Sequence, residues 1–447
     1  MKISVTIGDA RKVLKDLPDN SIQCCVTSPP YYNLRSYCDE DSPEKEDEIG
    51  TEQTPQEYID NMVDACREIK RVLRDDGILF INIGDSFYNY RPGKGQALSK
   101  QTFAKNDQDL PQACPRRGNK LEGLKEKDLI GIPWALAFAL RDDGWYLRRD
   151  YIWQKSNPQP ESVSDRATTS HEYIFMFTKL PKYFYDSEAV KEPAEYDGRQ
   201  DTVMKGSDKY KDPAVPGKKE QSMAVNGTER WQRNEDGEYL RNMRSVITVP
   251  TESYTDAHFA SFSVRLIDPL LKAGTSERGC CPECGAPWER VVEKRRMTRC
   301  ELPQDDIRYR PNTYHGAYED INGRGDAGYT VSKTLGWQPT CDCYNVTRVQ
   351  KPKKDDSDEI KIERERQLNN FKELSSIPCT ALDPFAGTGT VGRWCVENDR
   401  SVVLIELNPK YKPLIERRLS CNKEVMLIKS DNGNNMNFET STLDDWL

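Results

Sequence analysis

Three groups of residues in this chain have the types and spacing to do chemistry. The first is Ser28-Pro29-Pro30-Tyr31, inside the run CVTSPPYY. Neither proline can donate a hydrogen bond, and the pair holds the chain extended. With a hydroxyl before them and two aromatic rings after, they form a rigid row of acceptors beside a stacking surface. The second group is the turn PFAGTGTVG, where Gly387, Gly389 and Gly392 fit the spacing GxGxxG and Glu406 follows on the next apolar run. Glycines there let backbone approach a ligand closely, and an acid at that distance can hold ribose hydroxyls. The turn therefore predicts a nucleoside-type cofactor; a turn that simply needs positive φ is the alternative. The third group is Cys281 and Cys284 of CPECG, with Cys341 and Cys343 further on. A CxxCG turn is a metal knuckle, and four thiolates suit tetrahedral zinc in a closed structural site. The second pair is CxC rather than CxxC across a long loop, and unpaired thiols are the competing reading.

The elements around these groups read as α/β. ISVTIG is a short strand, Asp9 is placed to cap the helix ARKVLKDL, and IQCCVTS is a buried strand that ends at the two prolines. Thr54-Pro55-Gln56-Glu57 has the form of a capping box with proline in the first turn, opening a helix that runs to about Leu73. GILFINIG follows as a buried strand, and this rhythm predicts a parallel sheet. A helix over 132–145 and two facing strands, LRRDYIWQK and EYIFMFTK, come next. Near the C-terminus, TALD, the glycine turn, a helix and SVVLIEL repeat the strand–helix–strand pattern. Too little chain follows Gly389 to complete a sheet, so its other strands must come from the N-terminal half. The expectation is a permuted, doubly wound, mostly parallel sheet, with the proline tetrapeptide and the glycine turn on one carboxyl edge, where such sheets bind ligands.

The chain divides accordingly. Residues 1–185 form one half of this domain, and 251–275 with 377–425 form its cofactor half. Residues 186–250 read as an inserted recognition segment, 276–376 as a zinc-ribbon-like insertion, and 426–447 as a C-terminal tail. The 447 residues are 36% hydrophobic and 31% charged, with a net charge of −8. That charge gives no general attraction to nucleic acid, so any such binding must come from local patches. One candidate is Arg91–Lys120, where seven basic residues stand against Asp107 and Asp109. No run approaches the ~20 apolar residues of a membrane span. Asp9 and Arg11 break the N-terminal apolar run, which argues against a signal peptide. Fourteen cysteines with no disulfide framework suit a reducing compartment, and the expected location is the cytoplasm.

GDARKVL, TSPPY, HFASFSVRLIDPLL, DPFAGTGT and IELNP together resemble the S-adenosylmethionine-dependent DNA amino-methyltransferases, in the motif order of their β group. The resemblance covers roughly residues 1–185, 256–275 and 377–420. It implies a Rossmann-like methyltransferase fold and methyl transfer to an exocyclic amine of a base flipped out of double-stranded DNA. Such an amine is a poor nucleophile, because its lone pair is delocalised into the ring. By this resemblance Ser28 and the Pro29 carbonyl draw on its two hydrogens, Pro30 stiffens the backbone, and Tyr31 stacks on the base. Asp9 resembles the acid that meets the cofactor's adenine, and Asp383, Phe385, Gly387 and Gly389 belong to the cofactor turn with Glu406. His258, Phe259 and Ser261 resemble the segment cradling the methionine end. A plain helix cap is the alternative reading of Asp9 and of Asp383, and the role of His171-Glu172 is open.

Serine at the first tetrapeptide position favours cytosine N4 as the acceptor. Adenine N6 is the runner-up, and a nicotinamide-dependent oxidoreductase on GTGTVG is a distant alternative that leaves SPPYY unexplained. The implied partners are double-stranded DNA, a cognate restriction endonuclease and a second copy of the chain.

Overall fold

In a computed structural model of the chain, the described residues are 1–39, 41–88, 121, 123–194, 232–233, 239–254, 257–261, 263–296, 330–353, 356–420, 426–429 and 435–439. The whole basic run 91–120 lies outside them. His258, Phe259 and Ser261 fall on the strand Ala257–Ser261, but their side chains are outside the described set. The chain forms two compact units, one from residues 1–189, 244–288 and 375–447, the other from 190–243 and 289–374.

The first unit is built on a ten-stranded sheet. Its strands in chain order are β1 (Lys2–Ile7), β2 (Ile22–Thr27), β3 (Leu73–Ile83), β4 (Tyr146–Lys155), β5 (His171–Thr178), β6 (Val246–Val249), β7 (Thr380–Asp383), β8 (Ser401–Glu406), β9 (Met426–Lys429) and β10 (Asn435–Glu439). They lie side by side in the order β9-β10-β1-β8-β7-β2-β3-β5-β4-β6. The five central strands β1-β8-β7-β2-β3 are mutually parallel. The two C-terminal-half strands β7 and β8 thus slot between β1 and β2, and the sheet is mostly parallel and permuted as the motif order requires. β2 shows why these strands are central: all six of its residues are buried, the signature of a strand covered on both faces.

Helix α1 (Pro55–Val72) starts at the expected capping box, with Thr54 and Glu57 exchanging side-chain and backbone hydrogen bonds. Its apolar stripe, from Tyr58 through Met62, Cys66 and Ile69, packs into the same core as Leu79 and Ile81 of β3. The carbonyl-bearing strand ends and the loops after them therefore share one edge. β5 runs antiparallel to both β3 and β4. Its N-terminal end and the C-terminal end of β4 consequently reach that same edge.

The second unit brings the two inserted segments into one sheet. Its strands are ordered Glu289–Arg296, Thr330–Gln338, Gln232–Arg233, Tyr239–Arg241 and Glu192–Pro193. A long hairpin-like pair, Glu289–Arg296 with Thr330–Gln338, anchors it, and short strands from 192–241 extend it. The helix Asp358–Lys372 buries Arg364, Leu368 and Phe371 in this unit. No helix among the described residues is long and apolar enough to cross a membrane.

Candidate active site

A cavity of about 1040 Å³ opens at the carboxyl edge of the first unit's parallel strands, its wall including Asp9, Ser28, Tyr31, Asp383, Gly387 and Glu406. This lies at the upper end of the usual range for a small-molecule pocket, roughly 300–1,000 Å³.

One wall is the glycine turn. Asp383 ends β7, accepts a hydrogen bond from the Thr27 hydroxyl at 2.7 Å and another from the Phe385 N–H at 3.2 Å. Its side chain is buried, and burial pushes the carboxyl up to about 7. Glu406 ends β8. Its two oxygens accept from the N–H groups of Gly387 at 2.7 Å and Asn408 at 2.9 Å, which ties the turn to the strand. Burial again outweighs those bonds and lifts the carboxyl to about 7. Gly387, at φ +52°, has open space where a side chain would stand. Gly389, at φ +81°, differs from expectation: a Cβ there would face Ile415 at 3.2 Å, not the cavity. Its glycine serves the left-handed backbone that opens the helix α2 (Thr390–Glu397). Asp9 lines the cavity and also caps the short turn after β1, accepting the Arg11 N–H at 2.9 Å and the Arg11 guanidinium at 3.0 Å. The cap reading and the pocket reading hold together at that residue, whereas Asp383 caps no helix.

The other wall is built on Ser28-Pro29-Pro30-Tyr31, which leaves the end of β2. The wholly buried Tyr58 donates its hydroxyl to the Pro30 carbonyl at 2.8 Å and fixes the path of the tetrapeptide. The Tyr31 hydroxyl donates to the Glu172 carboxylate at 2.6 Å and accepts from the Asn82 amide at 2.7 Å. The same amide lies 3.3 Å from Ser28 Oγ and 3.0 Å from Glu172 Oε2. Lys155 closes the cluster with an ion pair to Glu172. Burial and then the Glu172 charge hold the Tyr31 phenol well above its usual range, so it stays a proton donor.

Asn82, Lys155, Gly84 and Tyr58 were not legible as site residues from the sequence. One signal was present for Asn82: a lone polar side chain near the carboxyl end of a buried parallel strand. At His171-Glu172 the alternation of β5 separates the two. Glu172 joins the cluster, while His171 is exposed and lies edge-on to Tyr173 at 5.4 Å. Cys281 and Cys284 belong to the first unit and Cys341 and Cys343 to the second. CPECG forms a tight turn, with Gly285 N–H on the Cys281 carbonyl and Cys281 N–H on Ala286, each at 2.9 Å, and Gly285 at φ +69°.

The family described as DNA methylase matches residues 22–281. Among curated relatives, the type II methyltransferase M.XycI of Xanthomonas campestris pv. cyanopsidis is 41% identical over 268 residues, spanning 60% of this chain and 71% of the relative. M.Cfr9I of Citrobacter freundii is 40% identical over 268 residues, with the same shares. M.SmaI of Serratia marcescens is 39% identical over 275 residues, or 62% of this chain and 76% of the relative. The chain therefore belongs to the DNA methylase family, the S-adenosylmethionine-dependent amino-methyltransferases of DNA.

Proposed function

We propose that this chain methylates the exocyclic N4 amine of a cytosine extruded from a specific site in double-stranded DNA. The observation that carries the reading is one cavity lined both by Ser28-Pro29-Pro30-Tyr31 and by the turn and strand end that carry Gly387 and Glu406. The residues of that turn fit a nucleoside cofactor: Gly387 leaves open space, and Glu406 is a buried acceptor at the end of a parallel strand. S-adenosylmethionine supplies the electrophilic methyl group when bound there. Glu406 would hold its ribose, Asp9 would meet its adenine, Asp383 and Phe385 would shape the turn, and His258, Phe259 and Ser261 would meet its methionine end.

The protein's own work is on the amine. Ser28 Oγ and the Pro29 carbonyl accept its two N–H hydrogens, which returns electron density to nitrogen and turns the lone pair out of the ring plane. Pro30, pinned by Tyr58, keeps those acceptors in place before the base arrives. Tyr31 supplies the stacking face. No covalent intermediate on the protein is needed; positioning and aligned dipoles lower the barrier.

The same reading assigns site recognition to the inserted segments of the second unit and a structural zinc to Cys281, Cys284, Cys341 and Cys343, a donor set with no open position. The setting is a cytoplasmic restriction–modification pair with a cognate endonuclease. Digestion of DNA methylated by the purified protein, followed by mass spectrometry of the nucleosides, tests the central claim. N4-methylcytosine is expected. N6-methyladenine would replace the acceptor base, and no methylated nucleoside would overturn the activity.

A further inference from the structure

Tyr31 is held from two sides by residues that lie far from it in sequence. At its tip, the phenol hydroxyl sits between Glu172 Oε2 at 2.6 Å and Asn82 Nδ2 at 2.7 Å. At its ring, the absence of a side chain at Gly84 makes room: a Cβ there would stand 2.7 Å from Tyr31 Cε2 and 3.0 Å from Cδ2, closer than real contacts allow. The register explains the pairing. Ile83 of β3 lies opposite Tyr173 of β5, so Gly84 and Glu172 are the next positions outward on adjacent strands. Glu172 is itself fixed by Lys155 at the end of β4. Its side chain is only 12% exposed, so the negative charge faces donors, not water.

A free tyrosine on a loop would have to lose rotamer freedom each time a base stacked on it, and that ordering would weaken extrusion. Here both rotations of the side chain are already fixed by a charge-assisted hydrogen bond and a contact with glycine backbone. We propose that Glu172, supported by Asn82 and Lys155, is a positioning residue that locks Tyr31 as a preformed stacking platform for the extruded base. The proposal rests on the reading of Tyr31 as the stacking face. It assigns the two antiparallel strands β4 and β5 a function that the parallel core does not supply: they carry the clamp.

The test uses the full-length protein and DNA carrying its methylation site, located by sequencing DNA from expressing cells. Steady-state methylation is measured for Tyr31→Phe, Glu172→Gln, the double variant, Gly84→Ala and Tyr31→Ala. Tyr31→Phe and Glu172→Gln should each lower kcat about tenfold, the scale of one charge-assisted hydrogen bond. KM for S-adenosylmethionine should not change. The double variant should be little worse than either single one, because both remove the same bond. Gly84→Ala should mimic them by displacing the ring from its other side. 2-Aminopurine at the target position gives an independent readout: its fluorescence rises as it leaves the duplex stack, and that rise on enzyme binding should be smaller in Tyr31→Phe, Glu172→Gln and Gly84→Ala than in the parent enzyme. Multiplicative losses in the double variant, or a 2-aminopurine rise as large as the parent's, would overturn the clamp. If Glu172→Gln fails to fold because Lys155 loses its carboxylate, Tyr31→Phe still decides, since it deletes the bond without exposing a charge. Full activity in Tyr31→Ala would remove the stacking reading itself. Loss in Tyr31→Ala with full activity in Tyr31→Phe would remove only the clamp.

Discussion

The glycine turn and the Tyr31 wall face each other across one cavity but are assembled in opposite ways. The turn and its acid come from one strand–turn–helix–strand passage: Asp383, Gly387 and Glu406 lie within twenty-four residues, and two backbone N–H groups are satisfied by Glu406 itself. The Tyr31 wall draws on β2, β3, β4 and β5, with Ser28, Asn82, Lys155 and Glu172 spread over nearly 150 residues. A contiguous site can be read from spacing, because the chain itself fixes the geometry. A site gathered by sheet order cannot, because its distances exist only after the strands have paired. The difference also separates what each wall should do when broken: loss of the turn should fall on the cofactor, loss of the tetrapeptide wall on the base.

The largest effect should come from Ser28→Ala. One acceptor aimed at the reacting amine is removed, and by analogy with deleting one donor from a preorganised charge-stabilising site the rate should drop about 10²–10³-fold. S-adenosylmethionine affinity, measured by calorimetry, should stay within about twofold of the parent. A loss of cofactor binding as large as the loss of rate would show that the two walls are not separable in this way.

The complementary break is Gly387→Val together with Glu406→Gln. A β-branched residue at φ +52° is strained and fills the open space, and the glutamine cannot present two anionic oxygens to Gly387 and Asn408. Cofactor affinity should fall about 10–100-fold while nonspecific DNA binding survives. Gly389→Val should behave differently, since its side chain would press on Ile415 of the helix α3 (Lys412–Ser420). Its damage should register as lowered thermal stability. Equal melting temperatures for Gly387→Val and Gly389→Val would contradict that division.

A smaller effect should follow from pH. Asp383 and Glu406 are both raised to about 7, so the empty folded protein holds protons that the unfolded chain would release near its ordinary carboxyl values. For these groups stability is greatest at low pH and is lost as pH rises toward about 7. A ligand whose hydroxyls donate to Glu406 prefers the ionised form. Cofactor affinity should therefore rise up to tenfold per pH unit between about 5 and 7 and then level off, with proton release on binding. Calorimetry in buffers of different ionisation enthalpy would detect the protons. Affinity that is flat from pH 5.5 to 8 would leave Glu406 without a direct part in binding.

These contrasts bear on how much was legible beforehand. The capping box at Thr54, the strand pair 146–155 and 171–178, and TALD with its turn are all local, and the structure forms each of them where the pattern places it. The permutation was also legible, because the glycine turn comes too late in the chain for its sheet to follow it. The joining of the two inserts was not. Glu192–Pro193, Gln232–Arg233 and Tyr239–Arg241 are strands of two or three residues, too short to carry a period of two. Of the three, Gln232–Arg233 pairs with Thr330–Gln338, which begins 97 residues further along the chain. At Gly389 the spacing left open whether close approach to a ligand or positive φ required the glycine, since spacing does not reveal which side of a turn a missing Cβ would occupy; the structure shows the positive φ.

The smallest effect on the two walls should come from the metal proposed at the cysteines. Zinc at Cys281, Cys284, Cys341 and Cys343 would contribute folding free energy, because an unfolded insert has no preformed cage. The CPECG turn nonetheless has anchors of its own. Gln23 on β2 donates to the Gly285 carbonyl at 2.9 Å and accepts from the Thr380 N–H on β7 at 2.6 Å, and Arg74 donates to the Cys284 carbonyl. That part of the turn should therefore survive loss of the ion, and S-adenosylmethionine binding should change less than about twofold after chelation or in Cys284→Ser. The consequence should fall on the segment around Cys341 and Cys343, where hydrogen exchange should accelerate, and on discrimination between DNA sites. Elemental analysis of protein purified without chelator should find about one zinc per chain. A metal-free protein with full activity and unchanged exchange at 341–343 would leave the four cysteines as ordinary thiols. Chelation that abolished cofactor binding would show the opposite, that the Gln23 anchor does not insulate the central sheet from the knuckle.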